Sequence, residues 1–194
     1  MCQVPPINQL TRFCFHCRIF LMNEVIKTQM ADSIRNFRMP RYHELPDNGL
    51  YLEQVTQYIN QTFPSMSGVE ITSSMISNYV KKGYISRPEK KLYYPEQISY
   101  LFFIAIAKNV LCMDHIHKLC AIQKETYTLE VAYDYLCSEL ENMLFYMFGL
   151  KANPDEVGVT STDEKHMMKS VIVSASNSIY LTTYFNIVQQ IENE

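Results

Sequence analysis

The sequence predicts a mostly α-helical protein with one small β-hairpin. Three observations carry this. Only 5 glycines and 8 prolines occur in 194 residues, so tight turns are few and long segments run unbroken. Apolar residues recur three and four positions apart along most of those segments, which is the helical period. One pair of short aromatic and β-branched runs, residues 84–87 and 91–94, flanks Pro88-Glu89-Lys90, the pattern of a hairpin around a proline-containing turn. With 47% apolar and 19% charged residues, the chain can build a real core, and wholesale disorder is excluded. No internal repeat is present.

Residues 1–21 hold two prolines and three of the six cysteines without a clear amphipathic period. Met22 and Met30 are both plausible start sites, so this stretch is expected to be dispensable. From Asn23 to Phe37 a helix is predicted, with Val25, Ile26, Met30, Ile34 and Phe37 on its apolar face and Pro40 as its stop. Leu52, Val55 and Ile59 mark a second helix over about 49–62, after the turn cluster Pro46-Asp47-Asn48-Gly49. Thr72 or Ser73 caps a third, which runs to Lys82 and ends at Gly83. Pro95 opens a fourth that reaches about Leu111 and is apolar on nearly every face over 100–107, so it belongs at the buried centre. Asp114 caps a short helix to Gln123. Thr126 or Thr128 starts a long one ending at Gly149. A last helix spans about 162–192, with Met168, Val171, Ile172, Ala175, Ile179, Phe185 and Val188 as its apolar positions and a small-residue middle, 174–178, that lets another helix approach closely.

Charge is unevenly distributed. Residues 1–39 carry a net +3, residues 40–125 a net +1 and residues 126–194 a net −7. Within the middle block, Lys81, Lys82, Arg87, Lys90 and Lys91 stand against Glu89 alone, a local basic patch that suits an anionic partner. The longest apolar run, Tyr100 to Ala107, is far short of the roughly 20 residues of a bilayer span. No secretory signal is read at the N-terminus. The expected setting is therefore the reducing cytoplasm, away from membranes.

The third helix supplies the candidate chemistry. Met75, Ile76, Tyr79 and Val80 fall on one side; Ser73, Ser74, Ser77, Asn78 and Lys81 fall on the other. Short hydrogen-bonding side chains and a lysine are the types that reach base edges and phosphates in a major groove. A helix precedes this one and a basic hairpin follows, the order helix, turn, helix, wing. Lys82, Arg87, Lys90 and Lys91 are placed to grip flanking phosphates.

Residues 69–120, Val-Glu-Ile-Thr-Ser-Ser-Met-Ile-Ser-Asn-Tyr-Val-Lys-Lys-Gly-Tyr-Ile-Ser-Arg-Pro through Tyr93-Tyr94 to Ile116-His117-Lys118-Leu119-Cys120, resemble the DNA-binding domain of MerR-type regulators. Tyr79, Gly83, Ile85, Pro88, Tyr93 or Tyr94, Ile98, Leu101, Ile116 and Leu119 match that family's pattern. Asn78 departs from it, standing where that family usually has arginine. Met39-Pro40-Arg41-Tyr42, Glu44-Leu45-Pro46 and Leu50-Tyr51-Leu52-Glu53-Gln54-Val55 more closely resemble a family of bacterial ykrK-like proteins that carry such a domain. The resemblance implies a MerR-like winged helix-turn-helix domain over 40–124, between an N-terminal segment 1–39 and a helical C-terminal part 125–194. It adds Tyr79 and Tyr93 to the DNA-facing residues, and it implies double-stranded DNA as partner and pairing of two copies through a long helix.

Tyr133, Leu136, Leu140, Met143 and Met147 continue a 4-3-4-3-4 spacing from Leu129, a heptad seam. It serves as a homodimer interface, as internal packing against helix 162–192, or as both in a four-helix interface. The aromatics Tyr127, Tyr133, Tyr135, Phe145, Tyr146 and Phe148 are candidates for a small-molecule effector pocket. Cys14-Phe15-His16-Cys17 lacks a second ligand pair. Cys112, His115, His117 and Cys120 do not converge on one helix, where each residue advances about 100°. No metal or cofactor is expected. With no phosphate loop, nucleophile elbow or metalloprotease motif, no enzymatic activity is expected either. The sequence thus points to a DNA-binding transcriptional regulator, with a helical interaction module lacking DNA binding as the alternative.

Overall fold

A computed structural model describes residues 24–65, 67–158 and 162–193. The N-terminal stretch expected to be dispensable, with Cys14 and Cys17, lies outside these. Helix α1 covers 24–34 of the described residues. It buries Ile26, Met30 and Ile34, while Val25 is turned to solvent, because the 26-30-34 row already fills the inward face. A 3-10 turn, Tyr42–Glu44, follows, then α2 (Leu52–Thr62), α3 (Ser73–Lys81), α4 (Pro95–Ala107), α5 (Met113–Thr126), α6 (Leu129–Met147) and α7 (Asp163–Asn193). No helix among the described residues is long and apolar enough to cross a membrane.

Helix α4 is the axis of the arrangement. Residues 97–99 and 101–107 are all buried, and α2, α5, α6 and α7 cover them. A helix with no polar face is stable only under such cover. Its start follows the expected chemistry: Pro95 sits in the first turn, and the Gln97 side chain accepts from the Tyr94 N–H at 2.8 Å. The buried apolar residues form one continuous cluster from Ile26 to Ile187, so the N-terminal and C-terminal halves share a core.

A strap over residues 38–45 binds the halves together. Arg41 makes a two-pronged pair with Glu141, at 2.8 and 2.7 Å, and the Met39 N–H donates to the same carboxylate at 2.8 Å. The Tyr42 N–H donates to Asp134 at 2.8 Å, and the Cys137 thiol faces the Pro40 carbonyl. Burial pushes the Cys137 thiol up to about 12, so it behaves as a small apolar residue.

Three expectations are corrected. There is no β-hairpin wing among the described residues. The antiparallel bridges are Leu50 with Tyr93 and Glu89 with Leu92. The 84–87 run cannot pair with 91–94, because Pro88 has no N–H to give, the Arg87 carbonyl is taken by the Gln97 side chain, and the Tyr93 backbone is committed to Leu50 at 2.8 and 2.9 Å. Gly49 permits that bridge: a Cβ there would meet the Leu92 Cβ at 3.0 Å. Second, Asp114 is not a cap; α5 begins at Met113 behind Cys112. Third, the C-terminal half of α7 turns Thr183 and Ile187 inward, leaving Phe185 63% exposed.

The heptad positions are also resolved. Tyr133, Leu136 and Leu140 are buried within one chain, with Met143 and Met147 half-buried. Helices α4 and α7 cover this face, so Tyr133, Leu136 and Leu140 are internal packing, and Met143 and Met147 are partly covered. The same helix interface buries Glu139 completely, with Lys169 at 3.1 Å; nothing in the apolar spacing singles that carboxylate out.

Candidate nucleic-acid interface

Helix α3 is set on α2 by polar clamps and apolar anchors. The Asn60 side chain donates to the Ile71 carbonyl and accepts from the Ile71 N–H, both at 2.8 Å, which fixes the loop entering α3. Thr72 caps the helix by accepting from the Met75 N–H, an interaction worth about 1 kcal/mol. Ile76 and Tyr79 are buried beneath it. At the other end, Gly83 (φ +77) takes the left-handed conformation. Its N–H bonds the Val80 carbonyl at 3.1 Å, and the Tyr84 N–H bonds that of Tyr79 at 3.0 Å, which is the Schellman closure.

This construction divides the candidate DNA-facing residues. Ser74, Ser77, Asn78, Lys81, Lys82, Arg87, Lys90 and Lys91 are exposed. Ser73 is half-buried, with its hydroxyl 3.1 Å from that of Thr56, so it joins α3 to α2. Tyr79 and Tyr93 are buried, and burial pushes both phenols above their ordinary value. Both are anchors of the core and cannot face a groove; a tyrosine at these positions reads the same in sequence whether it points in or out.

The chain after α3 is held from α5. The Tyr84 hydroxyl donates to Asp114 at 2.6 Å, and its ring lies 5.8 Å from that of His117. These contacts span thirty residues and leave no local pattern in the sequence. Beyond them, Glu89 and Leu92 exchange backbone hydrogen bonds of 3.1 and 2.8 Å across Lys90 and Lys91. Both lysines have positive φ, +49 and +70, the two-residue turn that ordinarily selects Asn-Gly. Holding lysine there costs about 1 kcal/mol per residue, and strain of this kind collects at functional positions. Lys90→Asn with Lys91→Gly is therefore expected to raise the stability by about 1–2 kcal/mol, read as a higher urea midpoint. An unchanged or lower midpoint would show that the turn is unstrained.

The electrostatics are lopsided. Elsewhere Lys27 pairs with Glu24, Arg35 with Asp32, Arg38 with Glu44, Arg41 with Glu141, Lys151 with Asp155 and Lys169 with Glu139, while Lys108, Lys118, Lys124 and Lys165 make no ion pair among the described residues. Lys81, Lys82, Arg87, Lys90 and Lys91 make no ion pair among the described residues. Five exposed cations without ion pairs thus fall within eleven residues, from the last turn of α3 to the Lys90-Lys91 turn, with Glu89 among them and Glu70 before α3 also exposed.

The other candidate groups are dispersed. Among the described residues no three His, Cys, Asp or Glu side chains stand close enough to share an ion. Cys112 is exposed, and burial pushes the Cys120 thiol up to about 11. Of the aromatics, Phe148 packs edge-on against Tyr180 at 5.4 Å, Tyr146 is exposed, and Tyr127 donates to or accepts from Thr162 at 2.8 Å. Tyr127 and Tyr133 line one small cavity, and Tyr127 and Tyr135 another.

A family model described as a domain of unknown function, DUF1836, matches residues 40–136. That stretch runs from the strap through α2, α3, α4 and α5 into α6 and includes Asp134. No curated protein and no solved structure matches the chain.

Proposed function

The chain belongs to the DUF1836 family, and from that footing we propose that it binds double-stranded DNA and regulates transcription, with α3 in the major groove. The observation that carries this is the set of five unpaired cations beside an exposed face of Ser74, Ser77 and Asn78. Cations without internal partners remain available to displace counterions from phosphates, which supplies most non-specific affinity. The short polar side chains of α3 read base edges, and Lys90 and Lys91 at the strained turn reach the flanking backbone. The order α2, α3, turn, α4, α5 supports the MerR-like reading, with a four-residue turn in the place of a wing. The reading assigns the protein no catalysis and places it in the cytoplasm with its DNA.

The regulator acts as a homodimer in this reading, with pairing through α7 and not through the heptad of α6. Leu181 and Phe185, one turn apart, are 51% and 63% exposed. Apolar surface of that kind at the end of a long helix suits a two-fold contact with a second copy. Phe185→Lys should convert a dimer to a folded monomer in sedimentation velocity; a wild-type protein that sediments as a monomer at all concentrations would remove this part of the proposal.

The test of the function is a salt titration of wild-type protein on selected and scrambled duplexes. Binding should weaken linearly in log salt, with a slope near one unit per phosphate neutralised. Absence of salt-sensitive binding to any duplex at low ionic strength would overturn DNA binding. It would favour the helical interaction module, a reading to which exposed Glu70 and Glu89, flanking the basic face, lend support.

A further inference from the structure

A cavity of about 310 Å³ lies between the chain segment 83–86, one face of α4 from Glu96 to Ile104, and α5. Its size falls at the lower end of small-molecule sites. It lies behind the DNA-facing surface and uses none of the residues assigned to it. Three polar groups stand in its wall, Glu96 and Lys124 at its exposed mouth and Tyr100 deeper. Glu96 and Lys124 both line it and neither makes an ion pair among the described residues. The Lys124 Nζ sits 4.9 Å from the centre of the Tyr100 ring and pairs with the buried Tyr100 hydroxyl.

The apolar side of the cavity is supplied by Ile104, Met113 and Ile116. Through Tyr100, Cys120 and Lys124 it adjoins a second, smaller cavity lined by Phe103, Leu136 and Met168. Helix α5 thus offers a cation, α4 an anion and a hydroxyl one turn apart, and the interior is apolar.

We infer that this cavity binds a free α-amino acid with an apolar side chain. The carboxylate accepts from Lys124 and the Tyr100 hydroxyl, the ammonium donates to Glu96, and the side chain lies against Ile104 and Ile116 and points toward the smaller cavity. A simple carboxylic acid satisfies Lys124 but leaves its charge facing Glu96, and a simple amine does the reverse. Only a ligand carrying both charges matches both walls. The pocket is defined without reference to DNA, so its test stands apart from that of the proposed function.

The experiment is isothermal titration of the full-length protein with L-leucine and L-phenylalanine, alongside 3-phenylpropanoate and phenethylamine, each of which keeps one of phenylalanine's two charges. At least one of the two amino acids should bind saturably and raise the melting temperature, and each one-charge analogue should bind at least tenfold more weakly. Lys124→Met, Glu96→Gln and Tyr100→Phe should each weaken the amino acid by tenfold or more. Glu96→Gln should also narrow the gap between phenylalanine and 3-phenylpropanoate, a selectivity change that general loss of structure cannot produce. No saturable binding of either amino acid at millimolar concentration would overturn the inference. So would binding that all three variants leave unchanged.

Discussion

Leu136→Lys combined with Leu140→Lys is expected to abolish folding instead of releasing a folded monomer. Leu136 is 2% and Leu140 0% exposed, and α4 and α7 close over them. Each substitution removes a buried leucine, about 2–5 kcal/mol by comparison with truncation to alanine, and adds an ammonium that must be buried or neutralised. Two such changes together rival the roughly 5–15 kcal/mol that holds a whole domain folded. Val131→Lys on the same helix, at a position 53% exposed, should shift stability by no more than about 0.5 kcal/mol. Circular dichroism and urea titration separate these outcomes. A folded, monomeric double variant would mean that α6 is a surface helix and that its cover by α7 is wrong.

The second large effect concerns the basic run of residues 81–91. Replacing Lys81, Lys82, Arg87, Lys90 and Lys91 together by alanine should leave the fold intact, since all five are exposed and none makes an ion pair among the described residues. The same change should cut the salt slope of DNA binding by about four to five units, at roughly 0.9 for each phosphate no longer neutralised. Asn78→Ala should instead cost roughly 1–3 kcal/mol on the preferred site and little on scrambled sequence. Filter binding at several salt concentrations distinguishes a uniform weakening from a loss of discrimination. A quintuple variant that binds with the wild-type slope would place the phosphate-binding groups elsewhere on the surface.

The helices are predictable because their signals are local. Thr72 caps α3 and Gly83 ends it, Pro95 opens α4, Thr128 caps α6, and the 26-30-34 row makes α1, each read from residues within a turn or two of one another. The failures share a physical cause. A heptad such as 133-136-140 buries one helix face and does not reveal whether the cover comes from the same chain or another. Tyr79 and Tyr93 carry both an apolar ring and a polar tip, so their types suit a core as well as a groove. The wing gives way to competition for backbone groups: Leu50 and Gln97, from elsewhere in the chain, take the partners that a hairpin needs. On the candidate interface, the exposed face of α3 and the basic run are readable from spacing and charge. The supports beneath them, Asn60, Tyr84 and Asp114, pair across 11 and 30 residues, and no local pattern announces such pairs.

The strap has a consequence for the order in which the chain is made. Arg41 and Met39 find their carboxylate about a hundred positions later, at Glu141, and Tyr42 finds Asp134 after 92. At a synthesis rate of about 5–20 residues per second, the two sides of the strap leave the ribosome roughly 5–20 s apart. During that interval α2 to α5 exist without a complete α6 and without α7, and the apolar surface of α4 that those two helices cover is bare. Ribosome-bound chains arrested short of residue 141 should therefore be cleaved readily within α4 by added protease, and chains extended through α7 and clear of the exit tunnel should resist. Equal resistance in both would mean that the first half closes on itself before its partner helix has been made.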